Sequence, residues 1–409
     1  MATVLTGTLG TEDVLAGKKV RDVTPGLKHL YPDIGPLFRI FNQIPMGPTA
    51  KNPKVEWTTK DLVPRWAYLT TDVGESSSAG ATVTLIPAHT EGGSADTERF
   101  KVGDVVEVPG RADNGTTTTN VGVVTTVNTD TNVVVDPIGW ASNDESTDLK
   151  FVATVTNDEI HVLSDASEEY SQKPAMKVTQ DAQVFNYVQF LRAPYIIGNI
   201  QMDQENYTGP ERAERKEETY KDIRIQAEEL LIHGERYYKA GTNGRQFFMS
   251  GIKKYIKDGA GSNLLTNWSA GLTEADWDEY LVKGPGMYGG NRKFLFASAD
   301  LLLKINSFAK TKERVMGQKN VFGLAFTQYL APDNKTYLIY NHHLFTNAYA
   351  GAGLIVDPEA ARIRPYGTQG TMRHLTNIQE NDRAGVADEW QILFSLEVSR
   401  TEPHGWITA

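Results

Sequence analysis

His342 and His343 are the residues whose type most invites a chemical reading. Imidazole ligates metals and carries protons near neutral pH. The preceding run TYLIYN is strand-like, and neighbours in a strand point to opposite faces, so one site should not use both rings. No His-Glu-x-x-His is present, and the other histidines show no regular spacing to carboxylates. Both are therefore expected to be packed or surface histidines. Asp203 with Glu205, and Glu217 with Glu218, have the type needed for an acid and a base, but nothing sets them against a pocket, so they read as solvated charge. GAGLIVDP at 351–358 has glycines like a nucleotide loop, yet it lacks the third glycine and leads into a strand instead of a helix. No Walker-type phosphate loop and no G-x-S-x-G elbow occurs. There is no cysteine, which excludes thiolate metal sites and disulfide scaffolds. No catalytic, cofactor-binding or metal-ligating residue is assigned, no cofactor is expected, and the chain is not expected to be an enzyme.

The 409 residues suffice for two or three domains with sizeable cores. Hydrophobic residues make up 40% and charged ones 22%, the balance of an ordinary folded protein. The net charge of -10 lacks the basic excess of a general nucleic-acid binder. No apolar run is long enough to span a bilayer, and MATVLTGTLG has neither the basic segment nor the apolar run of a signal peptide. Folding in a cytoplasm is the simplest expectation.

Texture divides the chain. Residues 1–55 are rich in Gly, Pro and Thr, and LKHLYPDIGPLFRIFNQIP is broken by Pro32, Pro36 and Pro45. It reads as an extended arm with one short helix near Pro36 to Phe41, crossing its own domain or lying on a neighbouring subunit. From about 84 to 165 short β-prone runs alternate with turn-rich stretches, which suggests an inserted small barrel or sandwich. DTN at 130–132 fits a hairpin turn. The flanking extended segments, 55–80 and 175–200, could pair as a long hairpin carrying the insertion. After Gly289 the chain reads α/β: LFAS ends a strand, Leu302, Ile305 and Phe308 stripe a helix, and TYLIYN and AGLIVDP are strands. Thr273 with Asp276 resembles a capping box. DEWQILFSLEVSR alternates as a long strand with Trp390, Ile392, Phe394, Leu396 and Val398 on one face.

The most distinctive stretch is GPERAERKEETYKDIRIQAEELLIHGER from position 209. Pro210 suits the first turn of a helix, and Glu211 with Arg215 and Glu217 with Lys221 are favourable pairs four apart. Spacing places Tyr220, Ile223, Ala227 and Leu230 on one narrow face, and the rest is charged. A helix from about 210 to 232 is predicted, one side on its own domain and the other facing neighbours or solvent.

Segment order resembles the major capsid proteins of tailed bacteriophages with the Hong Kong 97-like fold, in the group with a β-rich insertion in the extended loop. The resemblance is carried by KNPKVEWTTKDL, FKVGDVVEV, QVFNYVQFLRAPYIIGN leading into TYKDIRIQAEELLIHGE, GGNRKFLFASADLLLKINSF, LIVDPEAARIRPYG and DEWQILFSLEVSR. It implies an α+β fold with these parts: an N-terminal arm 1–55, an extended loop 56–83 returning at 166–200, and an inserted barrel-like all-β domain 84–165. A peripheral domain 201–284 with spine helix 210–232, an axial domain 285–370 and a C-terminal peripheral strand 371–409 complete it. It further implies self-assembly of hexamers and pentamers into an icosahedral shell around double-stranded DNA, contacted weakly and without sequence specificity. The virion is the expected location, with assembly in the bacterial cytoplasm and no membrane partner. The short Gly- and Thr-rich start implies that any fused scaffold segment is absent or removed. A separate scaffolding protein, a portal and a possible decoration protein are the implied partners.

Two other readings remain open from sequence. A phage tail tube or sheath protein would share the cysteine-free, β-rich character, although the charged helix and the α/β unit fit a tube poorly. An enzyme with a β accessory domain would require a deep polar pocket or a metal in the α/β unit.

Overall fold

The computed structural model describes residues 35–60, 65–75, 81–88, 93–111, 117–138, 151–167, 169, 181–206, 209–259, 263–311, 317–322, 324–367 and 372–409. They form two compact units, one of Lys60–Ala182 and one holding the preceding segment together with Gln183–Ala409.

Helix α1 spans Pro36–Gln43 and strand β1 Lys54–Thr59. Proline pre-sets the backbone of a first helical turn, where its missing N–H costs nothing. Leu37, Phe38, Ile40 and Phe41 are all buried in the core of their own subunit. Of the two alternatives for this segment, the described part takes the first: from Pro36 onward it packs on its own chain, because four large apolar side chains in six residues supply a core-forming face. Residues 1–34 lie outside the described residues.

In the second unit, β2 (Trp66–Leu69), β3 (Val83–Leu85), β4 (Pro87–Ala88), β5 (Asp104–Arg111), β6 (Thr117–Asn128), β7 (Asn132–Pro137) and β8 (Glu159–Asp165) form one sheet. Its order is β3-β7-β6-β5-β8-β2-β4. The two outermost strands, β3 and β4, are separated in sequence only by Ile86. Neighbours in the chain sit at opposite ends of the order, so the sheet must roll until its edges approach, giving a nearly closed barrel. Leu69, Leu85, Val108, Val124, Val135 and Ile160 fill the inside. Asn120 donates to Val152 O at 2.8 Å and accepts from Val152 N–H at 2.9 Å, pinning the segment that buries Phe151. β6 and β7 are joined by a three-residue turn, with Asp130 in the left-handed region at φ 53°. Trp66–Leu69, expected in the extended loop, is instead a strand of this sheet, paired with β8 and β4.

The chain returns through β9 (Ala182–Tyr187), which pairs with β1. Among the described residues the two extended segments pair at their bases. β10 (Gln189–Gly198) and the short helix α2 (Asn199–Asp203) follow. Next come α3 (Glu211–His233), a hairpin of β11 (Tyr237–Gly241) and β12 (Gly244–Phe248), α4 (Ile252–Gly259), β13 (Leu264–Leu265), α5 (Glu274–Lys283), β14 (Arg292–Ala297) and α6 (Ala299–Thr311). The remaining strands are β15 (Gly317–Val321), β16 (Leu324–Leu330), β17 (Thr336–Asn341), β18 (Gly353–Val356), β19 (Ala361–Pro365), β20 (Met372–Leu375), β21 (Gly385–Val398) and β22 (Gly405–Ile407). The hairpin was not legible as strands, since YYKAGTNGRQFF carries no apolar/polar alternation.

One sheet has the order β10-β21-β19, with β20 also paired to β21. The other is mixed, β13-β22-β18-β14-β17-β16-β15, with β14 and β17 parallel. Phe294, Phe296, Leu338 and Leu354 face α1 and α3 in one core, while Leu295, Ile339 and Ile355 face Trp277, Leu281, Leu301 and Ile305 in another. Burial on both faces explains why KFLFA, TYLIY and GLIV read as continuous apolar runs. The capping box at Thr273 forms as expected, with Asp276 closing it.

Helix α3 buries Ile223, Ala227, Leu231 and Ile232. The predicted face is rotated at its C-terminal end: Leu230 is half-buried, and Tyr220 packs on Trp390 of β21 at 5.1 Å. Ile223→Asp places a carboxylate in the sealed seam and is expected to cost more than about 3 kcal/mol. Glu214→Ala is expected to change folding by less than about 1 kcal/mol. Urea unfolding of both variants checks the pair, and equal midpoints would rule out the assigned face.

Candidate functional site

Glu228 is charged by type, lies on a largely charged helix and is fully buried. Its Oε1 accepts from Leu37 N–H at 2.9 Å and its Oε2 from Phe38 N–H at 2.7 Å. These are free donors of the α1 N-terminus; Pro36 has no N–H, and Arg39 N–H is the first to bond within the helix, to Gly35 O. A carboxylate from α3 thus caps a helix that has no side-chain cap and no acid in its own first turn. Gly35 enters the turn at φ 71°, a conformation that favours glycine. His342, also fully buried, contacts Glu228 Oε1 through Nε2 at 2.8 Å. Because both Glu228 oxygens already accept backbone N–H groups, Nε2 is assigned as the donor. One side chain therefore ties α1, α3 and the end of β17.

The spine is fastened to the other sheet by buried acids on β21. Asp388 accepts a bidentate pair from Arg212 of α3, at 2.8 and 2.9 Å, and Asn377 N–H at 2.9 Å. Burial raises the Asp388 pKa, but Arg212, Asn377 N–H and Tyr195 together bring it below the ordinary range. Glu389 bonds Arg192 of β10, which holds its pKa low against burial. Glu397 accepts from Arg362 at 2.6 Å and Arg364 at 3.3 Å, both on β19. Trp390 Nε1 donates to Lys216 O at 3.2 Å.

A third buried polar group closes the C-terminus. Lys293 Nζ donates to Tyr288 O at 2.8 Å and Pro403 O at 3.0 Å and lies 3.5 Å from Asp357 Oδ2. Burial lowers the Lys293 pKa to about 8 despite Asp357. Gly289, at φ 82°, allows this approach, because a Cβ there would sit 2.1 Å from Asp357 Oδ2. His404 Nδ1 accepts from Asp357 N–H at 3.2 Å.

His342 and His343 do not diverge as strand neighbours would. β17 ends at Asn341, and in the following turn their rings lie parallel, 5.8 Å apart. Among the described residues no group of three or more His, Asp or Glu is placed to hold a metal ion. Glu217 pairs with Lys221 at 2.6 Å, and Glu211 with Arg215 at 3.0 Å. Glu218 pairs with Arg215 at 2.7 Å and lines an open groove of about 560 Å³ with Arg192, Tyr195 and Asp222. Asp203 and Glu205 are exposed. Sequence reasoning missed Glu228, Asp388, Glu389, Glu397, Lys293 and Asp357. The available signal for Glu228 was its place between Ala227 and the Leu231–Ile232 pair on the apolar face.

Glu228→Ala strands two buried N–H groups and one imidazole, and a loss of more than about 2 kcal/mol is expected. Urea unfolding measures it, and faster exchange of the Leu37 and Phe38 amides localises it; unchanged exchange at both would contradict the capping role. Protonation supplies a second test. Burial lowers the pKa of His404 to about 4, and burial with Lys253 and His342 lowers that of His233 to about 4, both from 6.5. The unfolded chain takes up these protons first, so the contribution of these two histidines to stability is full above about pH 6.5 and is lost as pH falls toward 4. Thermal midpoints across that window should fall, and less steeply in His404→Asn; identical slopes would exclude His404 as a contributor.

The model of the SU10 major capsid protein family matches residues 4–409. Similar solved structures include Mycobacterium phage Bobi, at 9% identity and TM-score 0.44 over 98% of this chain and 99% of that one. Mycobacterium phage Adephagia gives 9% and 0.43 over 94% of both chains. The SrpI encapsulin of Synechococcus elongatus PCC 7942 gives 10% and 0.42 over 56% of this chain and 77% of that one. Comparison with curated proteins found no match. With its spine helix, its two-sheet body and a barrel-like insertion, and a family model matched over nearly its whole length, this chain belongs to the SU10 major capsid protein family, with the Hong Kong 97-like fold.

Proposed function

We propose that this capsid protein assembles as hexamers and pentamers into the icosahedral head of a tailed phage, enclosing double-stranded DNA. The carrying observation is the family match over residues 4–409. The chemistry of the described residues supports a structural role: the buried acids and the buried lysine are engaged in holding elements together, leaving none poised in a deep cleft. The proposed division follows the arm, extended loop, β insertion, peripheral and axial parts set out from sequence, with Trp66–Leu69 assigned to the insertion. A net charge of -10 suits a wall that touches DNA weakly and releases it readily. A separate scaffolding protein and a portal are the proposed partners during assembly in the bacterial cytoplasm, with a decoration protein added outside.

Expression with the neighbouring head genes, followed by electron microscopy, tests this reading. Closed particles containing both five- and six-fold capsomers are expected. Open tubes would favour a tail role, and soluble monomers under all conditions would overturn shell formation.

A further inference from the structure

The β11–β12 hairpin stands apart from both sheets, and nearly all its residues are exposed. Register places Tyr237 opposite Phe248 and Tyr238 opposite Phe247. Opposed residues share a face, and faces alternate along the strands. Tyr238 and Phe247 therefore form the inner face, which rests on Tyr187 at 6.0 and 5.5 Å. The outer face carries Tyr237, Phe248, Lys239 and Gln246. Tyr237 is 62% and Phe248 37% exposed. Lys239 has no acidic partner among the described residues. A two-stranded ribbon is marginal in water unless its apolar face is covered, and no described residue of the chain covers this outer face.

A complementary surface lies at the far end of β10. There α2 and the residue pair after it expose Ile200, at 90%, and Met202, at 41%, beside Asp203 and Glu205. No residue of this helix is buried. Asp203 and Glu205 have no basic partner among the described residues. The hairpin is aromatic with a cation, and the patch is aliphatic with anions. Gln189, at the start of β10, accepts from Met249 N–H at the hairpin root, whereas α2 begins directly after Gly198 at the strand's end. Ten strand residues separate the two surfaces by about 33 Å, too far to meet within one subunit.

We propose that the outer face of the β11–β12 hairpin docks on the α2 patch of a second copy of this chain, with Tyr237 and Phe248 against Ile200 and Met202, and Lys239 against Asp203 and Glu205. The contact joins two different surfaces, so it runs head to tail and closes only around a ring. The inference rests on the shell reading and names one of its subunit contacts.

The test uses the full chain in particle assembly. Lys239→Glu and Asp203→Lys are each expected to reduce particle yield about tenfold while leaving the thermal midpoint of the free subunit unchanged, and their combination to restore yield. The absence of native cysteine allows a direct probe. In Tyr237→Cys/Ile200→Cys particles, oxidation should give a ladder of linked subunits, because each copy offers one of each surface. Particles of normal yield from both charge variants, no recovery in the combination, or dimers without a ladder would each overturn the proposal. Normal yield with loss of packaged DNA in Lys239→Glu would assign the hairpin to nucleic acid and overturn it equally. Wild-type protein that never forms particles would instead defeat the shell reading on which it rests.

Discussion

A carboxylate cannot be buried without partners, and Glu228 has three of them, on segments far apart in the chain. Its removal from water is offset only when the N-terminus of α1, the seam of α3 and the turn after β17 are all in place. The reverse also holds: α1 has no cap of its own, so its first donors are satisfied only by the spine. The body on which the spine lies follows from that mutual requirement. Ile223, Ala227 and Leu231 would tolerate small sliding along α3, as apolar contacts do, but two directed N–H bonds and one imidazole bond would not.

The same device recurs on β21 in another form. Asp388, Glu389 and Glu397 are buried, while Arg212, Arg192 and Arg362 keep part of their guanidinium in water. Placing the acid inside and the base at the rim limits desolvation to one partner and keeps bidentate geometry. Each arginine comes from a different element, namely α3, β10 and β19, so the strand acts as a common anchor. Such pairs add little net stability compared with apolar packing. Their effect is to admit one register and one rotation of the spine.

The sequence made legible what depends on periodicity and local chemistry. Pro210 and the four-residue spacing disclosed α3, Thr273 and Asp276 disclosed the start of α5, and the alternating run from Asp388 disclosed β21. The β texture of the insertion was equally plain, because each of its strands is short and bounded by turn residues. Long-range partners were not legible. Glu228 looks like its solvated neighbours Glu217 and Glu229, and only the arrival of residues 37 and 38 from the other end of the chain distinguishes it. Glu389, Gln391 and Glu397 alternate as a polar face should, yet that face is covered by arginines and neighbouring strands. His342 and His343 were misjudged in orientation because the strand stops one residue before them.

An assembly of identical copies amplifies small errors, because a misplacement repeated around a ring prevents closure. A subunit that must present surfaces about 33 Å apart, at the two ends of β10, needs the strand between them to be straight and fixed. β10 meets that need by pairing along its full length with β21, from Gln189 opposite Phe394 to Gly198 opposite Gly385. Arg192 and Glu389 then lock the register across the pair, and Arg212 clamps the spine to the adjoining Asp388. The buried polar groups are thus concentrated where geometry must be transmitted. The insertion has a core of its own and a sheet that nearly closes on itself, and its buried Thr97, Asp104 and Asn120 bond to neighbours inside the same unit.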